Sequence, residues 1–298
     1  MGKSIIVLLS AVLGSTAMAT TVAPAATSSS SAGSSTAAAA PKAAVSTAKI
    51  AAPAATKKFA LELYNKTATS QQALLDGDSS VATENYVGGT MDLGGGQKIG
   101  IRQYFNLAMP ENAASNDFKM ASTALRWMAN DFVKPNDNLG LSTEFRAYLP
   151  TSEAARFETK ENGSLRNYLF LVQKLGKFEV SGNLLSQWYS QNQDFKEPDA
   201  KGVRKPNKES YIVPYAEAAY SISESLTVTQ GIGYQMTSFR AGESARVGDW
   251  YTTLSWQALK QLTVAGTLES EPNFNADRPV QLYRPDETSI ILELAAKL

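Results

Sequence analysis

Residues 57–298 are expected to form an all-β fold, a closed antiparallel up-and-down transmembrane β-barrel of about twelve strands, behind a disordered N-terminal tail. Three observations predict it. About twelve stretches in this region alternate apolar and polar residues one by one, which puts successive side chains on opposite faces of a strand. The connections alternate too: every second one is a hairpin of about two to five residues, and the others run from about six to nineteen. Past the N-terminus no run of 18 apolar residues occurs, which argues against a helical span, whereas a barrel strand needs only one apolar face.

The chain opens with Lys3, an apolar stretch from Ile5 to Gly14, and Ala17-Met18-Ala19, the parts of a secretory signal peptide ending near Ala19. No cysteine follows to take a lipid, and the absence of cysteine throughout removes disulfides and thiolate metal sites. Residues 20–56 are almost entirely Ala, Ser, Thr and Pro with a few Lys, a low-complexity composition too poor in large apolar side chains to offset the entropy of ordering; a flexible spacer is expected.

The strands follow in order. Phe59, Leu61 and Leu63 alternate with Ala60, Glu62 and Tyr64, and a polar connection runs from Thr67 to Val81. Val87, Gly89, Met91 and Leu93 alternate with Tyr86, Gly88, Thr90 and Asp92, and Gly94-Gly95-Gly96-Gln97 supplies a tight turn into Ile99, Ile101, Phe105 and Leu107. A fourth strand from Phe118 to Phe132 slips phase between Met120 and Leu125, as a β-bulge would make it do. Leu139 to Leu149 is the cleanest strand, with Ser142, Glu144, Arg146 and Tyr148 on its polar phase. Leu165–Leu175 and Phe178–Ser190 join at Gly176-Lys177, Tyr211–Ile222 and Leu226–Arg240 at Ser223-Glu224-Ser225, and Trp250–Leu259 and Leu262–Glu269 at Lys260-Gln261. Ser289 to Leu298 closes the chain.

A β-sandwich would also give many strands, but not strands of this length in strict long/short alternation. Aromatic girdles are expected near strand ends, with Trp188, Trp250 and Tyr148 toward the long loops and Trp256, Phe178 and Tyr220 toward the short turns. Gly94 to Gly96 is a turn and not a phosphate loop, since no helix follows it.

On this architecture residues 59–298 resemble the bacterial outer-membrane β-barrels of the small twelve-stranded porin and channel type. The resemblance implies a Gram-negative outer membrane, lipid around the barrel, and recognition of the last strand by the barrel-assembly machinery. Ile290, Leu292, Leu294, Ala296 and Leu298 keep that strand's alternation, but the final residue is Leu where such barrels usually carry an aromatic. A monomer is expected by the same analogy. Related barrels of the phospholipase and protease types rely on histidine; this chain has none, so no enzymatic activity, catalytic residue, metal or cofactor is expected.

The polar phase then lines the lumen. Arg102, Arg126, Arg146 and Arg166 on strands three to six are expected to form a basic wall, with Glu144 inside it. Glu179, Glu217, Glu269, Glu293 and Glu62 form an acidic arc on the other side, giving a field across the pore and little net ion selectivity. Alternatively these charges pair and fill the interior, because twelve strands lie between the filled eight-stranded and the open sixteen-stranded barrels. The expected function is passive diffusion of ions and small hydrophilic solutes. The alternative is a structural or adhesive surface barrel with a plugged lumen, binding partners through its loops or tail. With 28 basic and 28 acidic residues, nothing points to nucleic acid.

Overall fold

The computed structural model describes residues 59–76, 81–109, 117–198, 202–272, 283 and 285–298. The expected signal peptide and tail lie outside these residues, as do part or all of four of the long connections.

Twelve antiparallel strands close on themselves in chain order: β1 Phe59–Ser70, β2 Val81–Gly94, β3 Gln97–Met109, β4 Asp117–Asn136, β5 Leu139–Leu149, β6 Glu161–Leu175, β7 Phe178–Gln191, β8 Lys208–Ser221, β9 Leu226–Phe239, β10 Ser244–Leu259, β11 Leu262–Ser270 and β12 Thr288–Lys297. The seam joins β1 to β12, with Glu62 opposite Lys297 and Ser70 opposite Ser289. Closure leaves no strand edge unpaired, which an open sheet of this length could not achieve.

Alternation turns one phase outward. Phe59, Leu61, Ile101, Leu125, Phe145, Leu165, Leu184, Ile232, Leu254 and Leu292 are exposed, while the residues between them face the lumen. All four tryptophans lie on the outward phase, whereas Tyr64, Tyr86, Tyr104, Tyr148, Tyr168, Tyr211, Tyr215 and Tyr251 lie on the inward one. Tyr148 is therefore not a girdle residue: its phase on β5 is that of Arg146 and Glu144.

The expected bulge in β4 is present, where Gln103 pairs with Thr123 but Phe105 with Met120. A second break between Ala129 and Val133 was not legible in the pattern. There Asp131 adopts a positive φ of 48° and donates its backbone N–H to Ser142 Oγ at 2.9 Å.

One rim carries the short turns and the other the longer connections, with two departures from expectation. β1 runs on to Ser70 and is followed by a five-residue helix, α1 (Gln71–Leu75), so the first polar connection begins later than Thr67. β10 begins at Ser244 rather than Trp250, which shortens the β9–β10 connection to residues 240–243. The loops after β5 and β7 are bonded together: Glu197 N–H donates to Glu158 O at 2.9 Å, and Asn207 Nδ2 donates to Thr159 O and Gln193 O. Arg240 ties the β9–β10 turn to the same group through Asp194 at 3.0 Å.

Candidate functional site: the barrel interior

The inward phase of β3 to β6 places the four expected arginines together. Arg126, Arg146 and Arg166 sit directly opposite one another across β4, β5 and β6, and Arg102 on β3 pairs in register with Ala124, two residues from Arg126. Like charges in facing positions repel, so the row requires counter-charges.

Two carboxylates supply them. Glu62 Oε2 accepts from Arg102 at 2.7 Å and from Arg126 at 2.8 Å, and Glu144 Oε1 accepts from Arg126 at 2.5 Å and Arg146 at 2.7 Å. The result is one chain, Arg102–Glu62–Arg126–Glu144–Arg146, reaching from β1 to β5. Glu62 thus belongs to the arginine cluster and not to the acidic arc. Its position on β1 brings it within reach because Glu62, Gly88 and Arg102 share one cross-strand row and the glycine leaves the space between the two charges open, a relation that linear spacing does not express. Within the network the side chains are 3% to 11% exposed.

Arg166 is held differently. Its Nε donates to Gln187 Oε1 at 2.5 Å and its Nη1 to the Tyr168 hydroxyl at 3.1 Å, while its guanidinium lies 4.8 Å from the Tyr148 ring centre and 5.9 Å from that of Tyr211. Tyrosine faces stabilise the cation through their quadrupoles. These tyrosines, absent from the expected set, continue around the wall: Tyr64 stacks on Tyr86 at 4.9 Å, Tyr86 meets Tyr104 at 5.4 Å, and Arg102 lies 4.0 Å over Tyr86. Their signal was the phase they share with the arginines.

The remaining expected acids are dispersed. Glu217 on β8 accepts from Ser181 at 2.9 Å, from Asn183 at 2.7 Å and from the Tyr251 hydroxyl. Gly231 makes room for Tyr251, since any Cβ there would meet the tyrosine ring. Glu269 is buried opposite Tyr251, and Asp249, also buried and inward, joins this side although the pattern did not single it out. Glu293 faces Lys66, which faces Glu84 on its other side. Glu179 faces Lys174 at the short-turn rim.

The field is consequently not simply transverse. Arg166 shares a row with Gln187 and Tyr211, whereas Glu217 lies six residues further along β8 toward the short turns, about 20 Å at the usual rise per residue. Among the described residues no group of three or more metal-ligating side chains forms.

No protein-family model and no curated protein sequence matches the chain. Solved structures do. An outer membrane channel from Pseudomonas putida F1, of the COG4313 group, superposes with a TM-score of 0.57 at 11% identity, over 80% of this chain and 95% of that one. The fold is the one that this outer-membrane channel has. The NanC porin (TM-score 0.47, 11% identity, 80% and 100% covered) and the KdgM porin (0.46, 7%, 79% and 98%) also match. In this fold the polar network described above lies on the inner face of the barrel wall.

Proposed function

We propose that the protein is an outer-membrane channel for passive diffusion of ions and small hydrophilic solutes. The observation that carries this reading is a closed wall with an apolar exterior and an interior of arginines, carboxylates, tyrosines and hydroxyls, the arrangement that water and polar solutes require. The Arg102–Glu62–Arg126–Glu144–Arg146 chain is the constriction. Because two carboxylates leave its three arginines only one positive charge in excess, and Arg166 and Glu217 outside it are of opposite sign, selectivity between anions and cations is weak.

A second reading, a surface barrel with a filled lumen, is favoured by the burial of the interior: Arg146 on one side and Thr253 on the other are both 3% exposed. Planar-bilayer recording of the purified protein separates the two. A channel gives discrete, small current steps with a reversal potential near zero in a salt gradient, and Glu62→Ala with Arg126→Ala enlarges the steps. A silent membrane, for wild type and double variant alike, supports the filled barrel, and strong selectivity for one ion sign overturns the weak-field account.

A further inference from the structure

The arginine network meets its charges with one another; a second polar row in the interior does not. Lys66, Glu84 and Asn106 face one another across β1, β2 and β3. Each lies four residues from the Glu62–Gly88–Arg102 row toward the long-connection rim, about 13 Å at the usual rise per residue. They share the inward phase of Tyr64, Tyr86 and Tyr104, and Glu84 is within electrostatic reach of Arg146 and Arg166, so the row looks onto the lumen.

Lys66 is 7% exposed, yet among the described residues its side chain makes no hydrogen bond and no ion pair. The same holds for the side chains of Glu84 and Asn106, and the Asn106 Oδ1 is buried without a partner. Lys66 and Glu84, though in register, stay further apart than an ion pair, and Glu293 on the other side of Lys66 is engaged by the Tyr64 hydroxyl. Buried donors and acceptors left unmet cost free energy, and three side by side call for something that binds them.

We infer that Lys66, Glu84 and Asn106 form a subsite for a small zwitterion of the α-amino-acid type. The carboxylate of the solute meets the Lys66 ammonium, and its ammonium meets the Glu84 carboxylate and the Asn106 Oδ1. Opposite charges on neighbouring strands, about 5 Å apart at the backbone, match opposite charges a few bonds apart on one solute. A simple anion or cation would meet one of the two charges and be repelled by the other, and a neutral sugar would leave both uncompensated. The inference deepens the channel reading and rests on it for the path of the solute into the lumen.

Alanine, acetate, ethylammonium and methyl glucoside each carry a methyl group whose proton resonance reports contact with the protein. Saturation transferred from the detergent-solubilised barrel at neutral pH should reach the alanine methyl several-fold more than that of any of the others. Lys66→Gln and Glu84→Gln should each remove this excess; the first should then favour ethylammonium over acetate, and the second acetate over ethylammonium. Both variants are first checked for the mobility shift between unheated and boiled samples that marks a folded barrel. The comparison of the four solutes in the wild type decides even if neither folds. Equal transfer to all four, equal transfer to alanine and methyl glucoside, or an alanine excess that both folded variants keep overturns the subsite, including the outcome in which water alone meets the row. Bilayer recording separates this from the channel reading: current steps beside equal transfer overturn the subsite and leave the channel, whereas a silent membrane beside an alanine excess overturns the channel and supports the subsite.

Discussion

The β1–β6 side of the barrel and the β8–β11 side share one inward phase but solve the problem of buried charge differently. On the first, three arginines and two carboxylates alternate in one ion-paired sequence, and a sixth charged side chain, Arg166, is wrapped by tyrosines and Gln187. On the second, Glu217 is held by a serine, an asparagine and a tyrosine, and much of the surrounding wall is short: Thr229, Gly231, Gly233, Thr253, Ser255, Ala265 and Thr267. Charge held by charge is all-or-none, because removing one member strands the others; charge held by neutral dipoles degrades more gently.

The comparison can be broken most sharply at Glu62. Glu62→Ala leaves Arg102 and Arg126 in the interior with one counter-charge fewer, and breaking a buried pair in this way costs about 3–5 kcal/mol. Urea unfolding in lipid vesicles should show that loss, and replacing Glu62, Arg102 and Arg126 together by apolar residues of similar size should recover most of it. If Glu62→Ala is neutral, the network is a surface-like one and the contrast fails.

On the other side, Gly231→Val pushes Tyr251 away from Glu217, an overpacking loss of about 1–3 kcal/mol by the same assay. Single-channel noise should rise as well. A smaller effect is expected at Arg166→Gln, which removes a cation paired only with neutral groups. Stability should change little, while the reversal potential in a salt gradient moves toward cation preference. No movement would mean that Arg166 is screened from the permeating ions. The smallest effect belongs to Asn207→Ala at the long-loop rim. Loss of its bonds to Thr159 O and Gln193 O, about 1 kcal/mol, should speed proteolytic nicking of residues 192–207 without altering the unfolding midpoint of the barrel.

Strand number, closure and the first bulge of β4 were legible because period-two alternation survives in a single sequence. The break near Asp131 was not, since it depends on a positive φ and on a bond to Ser142 across the ladder. The β10 start was hidden because Ser244 to Asp249 mixes small, charged and glycine residues that look like a loop. Within the interior, the arginine row could be read from phase alone. The membership of Glu62 could not, because it depends on the register that sets Glu62 and Arg102 on either side of Gly88, and Tyr148 lies near a loop yet belongs to the inward phase.

The seam has a consequence for the order of events during assembly. Leu61 and Leu298 exchange both backbone hydrogen bonds, at 3.0 and 2.9 Å, so one of the first strand residues to be synthesised waits for one of the last. Until β12 arrives, β1 and β11 each present an unsatisfied edge, and the Glu62–Arg126 ion pair is held by a sheet that has not yet been forced to curve. Closure is thus the step that converts eleven hairpin-linked strands into a wall with an inside. A chain shortened before Thr288 would keep every short turn and every arginine, and still have no lumen.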